Sequence, residues 1–262
     1  MFKIKKIVSK ILYESKVTFL LFKIINKKDN GQNVRILNYH NTFNKNKEKF
    51  LEQIKFYKKN YEIIDFNKLK KFLNNEYRLK KPGLLITFDD GFTGNYFTAK
   101  EVLEPLQVGA MFFISPDKIG QEEYMTEKQI KELLKNPIYM IGSHTCTHHR
   151  MNIDDVEEIL DYEIIESKKK LEKMFDIKIE SFCWCGGELD TYIKNAHKKI
   201  SSVYDYSFMT NNKLVFKKEN KLKLQRTNIE DNWVVSLIMF QLCGFLDIKY
   251  LRKRKIINKR LR

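Results

Sequence analysis

Short apolar runs alternate with amphipathic, helix-like segments along most of this 262-residue chain, and this alternation constrains the fold more than any other feature. Seven runs have the length and residue types of buried strands, at 34–39, 83–88, 108–114, 138–143, 181–185, 204–209 and 222–229. Helical periodicity appears near 47–59, 66–76, 95–104, 126–135, 154–175 and 189–200. Repeated strand-helix units form parallel sheets, so we predict an α/β fold, a distorted (β/α) barrel with about seven parallel strands.

The net charge of +16 is concentrated at the two ends of the chain. Residues 1–28 hold eight Lys and one Glu, and residues 249–262 hold eight Lys or Arg and no acid, so the ends carry +7 and +8 and the centre is nearly neutral. We therefore divide the chain into a basic amphipathic segment at 1–30, a barrel at 31–232 and an apolar, then polybasic, segment at 233–262.

Both basic ends lie beside apolar sequence, at 4–12 and 17–25 and again at 233–246. Neither run reaches the roughly 20 apolar residues of a spanning helix. We expect the ends to bind an anionic membrane surface peripherally, at its cytoplasmic face. Two alternatives stay open: packed helices with solvated basic tails, or an uncleaved N-terminal anchor with the barrel facing outward. Nucleic acid is a less favoured partner because no binding motif accompanies the charge, and the oligomeric state is unknown.

The four cysteines, Cys146, Cys183, Cys185 and Cys243, form neither a disulfide framework nor a Cys-x-x-Cys zinc ribbon. A reducing compartment explains this usage more simply, which agrees with a cytoplasmic location.

Two adjacent carboxylates, Asp89 and Asp90, end the apolar run 83–88 and are followed by Gly91. An ordinary turn with a helix cap would explain them. Adjacent residues on extended backbone point to opposite sides, so both carboxylates can serve one site only if the chain bends after the strand. Gly91 makes such a bend inexpensive.

A second strand-like run, 138–143, ends on His144 and His148, which are four residues apart. On a helical turn this spacing puts both imidazoles on one side, where they can bind one metal ion. With one carboxylate they make a three-ligand site that leaves a position open for water. His149 has the wrong spacing from His144 for a ligand, and Cys146 is interpreted as a packing residue.

Three motifs carry a family resemblance. In the order "TFDDG" (87–91), "HTCTH" (144–148) and "FCWCGG" (182–187), they resemble the polysaccharide deacetylases, carbohydrate esterase family four, with weaker similarity over about 34–230. The resemblance implies a distorted (β/α) barrel that uses a divalent metal to hydrolyse N-acetyl groups of amino sugars. Carried onto this chain, it makes Asp90, His144 and His148 the metal ligands and Asp89 the general base. Zinc is the expected metal because two imidazoles and a carboxylate suit it.

The third motif departs from the family pattern. The family often has an Arg here and a Pro after the aromatic residue, whereas this chain has Cys185 after Trp184. An oxyanion donor is expected near these two residues. Arg226 is expected either to supply the missing charge beside Asp89 or to be a surface residue at a strand end.

The late His that is the usual acid in the family is also missing. His197 lies in a segment that reads as an exposed helix, so His40, at the end of the first strand, is the candidate acid; the alternative is a structural His.

The expected function is therefore a metal-dependent N-deacetylase of an amino sugar. Its expected substrate is a glycan or lipid-linked precursor of capsule or lipopolysaccharide. Two other functions remain possible from the sequence: a catalytically inactive sugar-binding protein on the same fold, and a basic membrane or nucleic-acid scaffold.

Overall fold

The computed structural model describes residues 16–42 and 44–262, so the predicted amphipathic pattern at 4–12 lies outside the described residues. The strands are β1 (Asn33–Tyr39), β2 (Glu62–Ile63), β3 (Gly83–Phe88), β4 (Ala110–Ile114), β5 (Tyr139–Ser143), β6 (Ser181–Cys183), β7 (Tyr206–Met209), β8 (Val215–Phe216) and β9 (Leu224–Asn228). Seven of these described strands form a closed parallel barrel in the order β3–β4–β5–β6–β7–β9–β1, with β1 paired back to β3. The barrel prediction is confirmed.

Helices surround this barrel. They comprise Val17–Asn26, Lys47–Asn60, Phe66–Leu73, Thr93–Thr98, Glu127–Leu134, Glu157–Leu160, Ser167–Phe175, Lys194–Val203, Val235–Leu242, Phe245–Lys249 and Leu251–Arg260. Two π-helical segments, Ala99–Leu103 and Asp161–Glu166, extend the helices that precede them. Two of these helices begin with a side-chain cap: Thr126 and Gln129 form a capping box at Glu127–Leu134, and Asp65 caps the helix Phe66–Leu73. Among the described helices, none is long and apolar enough to cross a membrane.

The two-residue period of the strands builds an apolar barrel interior with a polar layer above it. Leu85 on β3 and Leu224 on β9 are buried in one cluster with Met111, Phe113 and Phe208, and the helix Phe66–Leu73 packs into the same cluster. Two positions further along these strands the inward residues are polar, Thr87 and Arg226. The carboxyl ends of the strands therefore carry the chemistry, and the opposite end of the barrel is packed.

The C-terminal segment packs on the barrel. Arg35 on β1 is fully buried and makes a bidentate ion pair with Asp247, with N–O distances of 2.8 and 2.9 Å. The helix Leu251–Arg260 lies over loops at the carboxyl ends of β6 and β7: Arg254 donates to the Asn211 carbonyl at 2.9 Å, and Arg260 donates to the Leu189 carbonyl at 2.7 Å. The composition change near residue 233 therefore does not mark a break in packing.

We expect Asp247→Ala to lower the free energy of unfolding by about 3 kcal/mol, because it leaves the Arg35 guanidinium buried without its partner. Denaturant unfolding measures this loss. Asp190→Ala, which removes an exposed partner of Arg150, is the control and should change the stability little. Equal losses in both variants would contradict the assignment of Asp247 as an anchor of the C-terminal segment.

Candidate functional site

Asp89 and Asp90 reach one cleft because the chain bends directly after β3. The Asp89 N–H donates to the Tyr39 carbonyl at 2.8 Å, which continues the pairing of β3 with β1 by one residue. Asp90 then has a φ of 72° and Gly91 a φ of 80°, both in the left-handed region. The expected bend therefore exists, but it begins at Asp90, one residue before the glycine.

Asp89 is buried, at 2% exposed, and two side chains hold its carboxylate through three hydrogen bonds. Arg226 donates to Oδ1 at 2.6 Å and to Oδ2 at 2.7 Å, and Asn38 donates to Oδ2 at 2.7 Å. Burial alone raises the pKa of Asp89, but Arg226, together with the nearby His144 and His40, more than offsets burial and holds this pKa below its ordinary value. Asp89 is thus ionised at neutral pH, as a proton acceptor must be.

The two histidines meet at Asp90. The Nε2 atoms of His144 and His148 lie 3.3 and 3.0 Å from Asp90 Oδ1. The prediction of a helical turn between the two histidines is wrong. Residues 144–148 form a loop in which Thr145 and His148 have φ values of 62° and 67°. The left-handed residues, rather than helical spacing, bring the imidazoles together.

A buried glutamate holds this loop. The Glu163 carboxylate accepts from the N–H groups of Cys146 and Thr147 at 2.8 and 3.0 Å, and from the Thr147 hydroxyl at 2.7 Å. His144 is oriented separately, because its Nδ1 lies 2.9 Å from the Cys183 carbonyl oxygen. A carbonyl can only accept, so Nδ1 carries a proton, and Nε2, which faces Asp90, is the nitrogen left for binding a metal ion.

These donors fit a divalent metal ion. Asp90 Oδ1 is buried and has no hydrogen-bond donor among the described residues, although two imidazole nitrogens lie beside it. Burial raises the pKa of Asp90, but His144 and His148 lower it below its ordinary value, so the carboxylate is ionised. The Cys185 thiol is also close: its Sγ and one nitrogen of each histidine lie within 4.8 Å of one another. Imidazole, carboxylate and a nearby thiol together suit zinc.

The site opens into a cleft of about 370 Å³. The residues that line it are Asn38, His40, Asp89, Asp90, His144, His148, Trp184, Gly186, Gly187, Glu188, Thr210, Asn228, Tyr250 and Lys253. His40 is exposed and lies at this cleft with the expected ligands. Arg226 and Cys185 do not line it: Arg226 is fully buried behind Asp89, and Cys185 contacts the His144 carbonyl at 3.5 Å. Arg226 is therefore not a surface residue, and it does not contact substrate directly.

Of the two backbone N–H groups expected as the oxyanion donor, those of Trp184 and Cys185, only one is available. The Trp184 N–H is already donated to the Phe208 carbonyl at 3.1 Å. The Cys185 N–H has no acceptor among the described residues, so it is the free donor of the pair.

Sequence reasoning missed several residues of this site. Asn38 had a detectable signal, because it is a polar residue in an otherwise apolar strand. Glu163 had none, because its segment contains many acidic residues and nothing in the sequence distinguishes this one. Tyr250 and Lys253 come from the C-terminal segment, and no local signal places them at the cleft. His197 is half-buried, not exposed; burial and, to a lesser degree, Lys223 lower its pKa to about 4, and it does not line the cleft.

Comparison with known proteins agrees with this geometry. Residues 76–204 match the family model "Polysaccharide deacetylase", a segment that contains both carboxylates, both histidines and the third motif. A putative polysaccharide deacetylase of Bacillus subtilis, YxkH, is 32% identical over 146 residues, which cover 53% of this chain. The predicted resemblance to the polysaccharide deacetylase family is therefore confirmed. The chain spans about half the length, 52%, of that curated relative.

Solved structures support the same fold. A polysaccharide deacetylase from Bacillus cereus superposes with a TM-score of 0.68 at 23% identity, covering 80% of this chain and 69% of that one. IcaB from Ammonifex degensii gives 0.71 at 16% identity, covering 82% and 97%. The deacetylase PplD of Streptococcus pyogenes gives 0.69 at 20% identity, covering 80% and 98%. At these identities the structures establish the fold of the barrel and no more.

We expect the protein to bind one divalent metal ion. His148→Ala should weaken the affinity for this ion more than about 100-fold, because loss of a residue that only hydrogen-bonds to a metal ligand already costs roughly 10- to 100-fold. Zinc titration by calorimetry measures this. His149→Ala is the matched control, because the His149 imidazole lies 2.9 Å from Asp155 instead. Unchanged affinity in His148→Ala would exclude it as a ligand.

Proposed function

We propose that this chain is a metal-dependent hydrolase that removes N-acetyl groups from an amino sugar. One observation carries the proposal: Asp89, a buried carboxylate kept ionised by Arg226, lies beside Asp90 and two imidazoles in one open cleft. Metal-assisted hydrolysis of an amide by water needs two parts close together: a group that accepts the proton of the water, and a set of ligands that holds the metal ion.

Asp90, His144 and His148 would hold one divalent cation, with zinc the expected ion. When bound, the cation supplies Lewis acidity towards water and the amide carbonyl. Asp89 takes the proton of the attacking water. Its Oδ2 accepts from both Asn38 and Arg226, whereas Oδ1 has one short bond, from Arg226, so Oδ1 retains a lone pair for this proton.

Two further groups complete the reaction. Cys185 is itself buried, but its neighbours Trp184 and Gly186 line the cleft, so its N–H is the fixed backbone donor proposed to stabilise the oxyanion that develops on the carbonyl oxygen. His40, exposed at the cleft, donates a proton to the amine leaving group. Tyr250, which lines the cleft, provides an aromatic wall for the sugar ring.

The proposed substrate is an amino sugar in a glycan or a lipid-linked glycan precursor of a cell-surface polysaccharide such as capsule or lipopolysaccharide. The proposed location is the cytoplasmic face of a membrane. The basic ends and the four unpaired cysteines support this location.

A catalytically inactive sugar-binding protein is the second candidate. The third motif favours it, because Cys185 follows Trp184 where the family commonly has a Pro, and the Arg that the family often has in this motif is missing. Against it, the proton acceptor Asp89 and its ion-pair partner Arg226 are both present, and all three expected metal-ligand positions hold ligating residues.

Acetate release from a panel of free and lipid-linked N-acetylhexosamines tests the proposal. We expect metal-loaded wild type to release acetate and Asp89→Asn to lose at least about 100-fold in rate with its metal retained, because only the proton acceptor is removed. His40→Ala should lose a similar factor if His40 is the acid.

Asp190→Asn changes an exposed carboxylate outside the cleft and is the control, with wild-type rates expected. No release from any substrate by wild type that binds metal stoichiometrically would favour the sugar-binding protein instead.

A further inference from the structure

The helix Val17–Asn26 has apolar side chains on both of its faces. Phe22 and Ile25 are buried, and the Phe22 ring makes an edge contact with Tyr61 at 5.7 Å between centroids. The opposite face is apolar as well: Leu20 is 60% exposed and Ile24 is 55% exposed. A surface helix of a soluble protein normally has charged or polar residues there, so this face lacks the expected solvent-compatible residues.

The C-terminal helices continue this apolar surface. Phe245, Ile248 and Leu251 are 58%, 74% and 46% exposed. The two groups are neighbours, because the helix Val235–Leu242 packs against the helix Val17–Asn26, and a Cβ on Gly244 would lie 2.9 Å from the Ile25 side chain. We call the exposed apolar residues of Val17–Asn26 and of 245–251 the apolar face. Large exposed apolar side chains clustered on neighbouring helices are uncommon on a soluble monomer and mark an interaction site.

The charges around the apolar face are mostly positive, and the one acid within 245–251, Asp247, is ion-paired with the buried Arg35. Residues 16–28 contain Lys16, Lys23, Lys27 and Lys28 and no acid, and residues 249–262 contain eight Lys or Arg and no acid. The Lys23 ammonium lies 4.3 Å from the centroid of the Phe19 ring, an arrangement in which the apolar stem covers the apolar face and the charge stays at its edge. An apolar surface rimmed by cations complements an anionic lipid bilayer.

The same segment forms one wall of the catalytic cleft. Tyr250 lines the cleft and lies between Ile248 and Leu251 of the apolar face. Lys253 also lines the cleft; its ammonium lies 5.5 Å from the Tyr250 ring and donates to the Gly187 carbonyl in the third motif. Any surface to which the apolar face binds therefore lies next to the catalytic cleft.

We propose that the apolar face docks the protein on an anionic lipid bilayer and holds the cleft beside the lipid headgroups, where a sugar attached to a membrane lipid can enter. The docking surface stands on its own observations. The statement about the sugar rests on the proposed deacetylase function.

Vesicle co-sedimentation of the full-length protein tests docking. Wild type should bind vesicles of phosphatidylcholine mixed with phosphatidylglycerol, bind phosphatidylcholine alone weakly, and be released by salt. Ile24→Glu and Ile248→Glu should each weaken binding about tenfold, because a buried apolar contact is replaced by a charge that the anionic surface repels.

Ile153→Glu is the matched control, since Ile153 is 81% exposed but lies outside the apolar face, and it should bind as wild type does. Absence of binding by wild type, or equal weakening by Ile153→Glu, would overturn the proposal. So would a dimer in light scattering that Ile24→Glu dissociates, which would assign the face to a second copy of the chain.

Activity separates the two proposals. Ile24→Glu should release acetate from a soluble N-acetylated oligosaccharide at the wild-type rate and from a vesicle-bound glycolipid about tenfold more slowly. Equal rates on the glycolipid would overturn the docking role. Vesicle binding without acetate release from any substrate would reject the deacetylase function alone and support the docking surface.

Discussion

The buried ion pair between Asp89 and Arg226 is the interaction on which the rest of the site depends. Both side chains are almost fully buried, and either charge alone in that position would be strongly destabilising. Their paired hydrogen bonds connect β3 to β9 across β1, which adds its own bond from Asn38. The pair therefore stabilises the closed end of the barrel and also keeps a carboxylate ionised inside it, which is the state that a proton acceptor requires.

Barrel closure determines which residues can cooperate. Asp89 and Arg226 are 137 residues apart in sequence, and they meet because β1 pairs with both β3 and β9. Parallel strands bring their carboxyl ends to one rim, so the residues after β1, β3 and β5 converge there without any local contact. The C-terminal helices then close one side of this rim and add Tyr250 and Lys253. The cleft is thus built from the barrel and from sequence outside the matched segment 76–204.

The sequence was sufficient for the barrel and for the cluster of Asp89, Asp90, His144 and His148, because strand and helix periods are local properties and the motifs lie at strand ends. It was not sufficient for Asn38, Tyr250 and Lys253, which line the same cleft. It was not sufficient for the backbone between His144 and His148, where two non-glycine residues are left-handed and a distant Glu163 stabilises the loop. It also did not show that Asp247 and Arg254 attach the basic C-terminal segment to the barrel. Their partners are distant in sequence and come into contact only through tertiary packing.

Titration of the Asp89 carboxyl by carbon NMR, in wild type and in Arg226→Gln, tests the central claim most directly. We expect the wild-type pKa of Asp89 to lie below the ordinary value of 3.8. In Arg226→Gln the same pKa should rise, because burial is no longer opposed by the guanidinium. A wild-type pKa at or above 3.8, or a pKa that does not respond to loss of Arg226, would contradict the claim that this ion pair controls the proton acceptor.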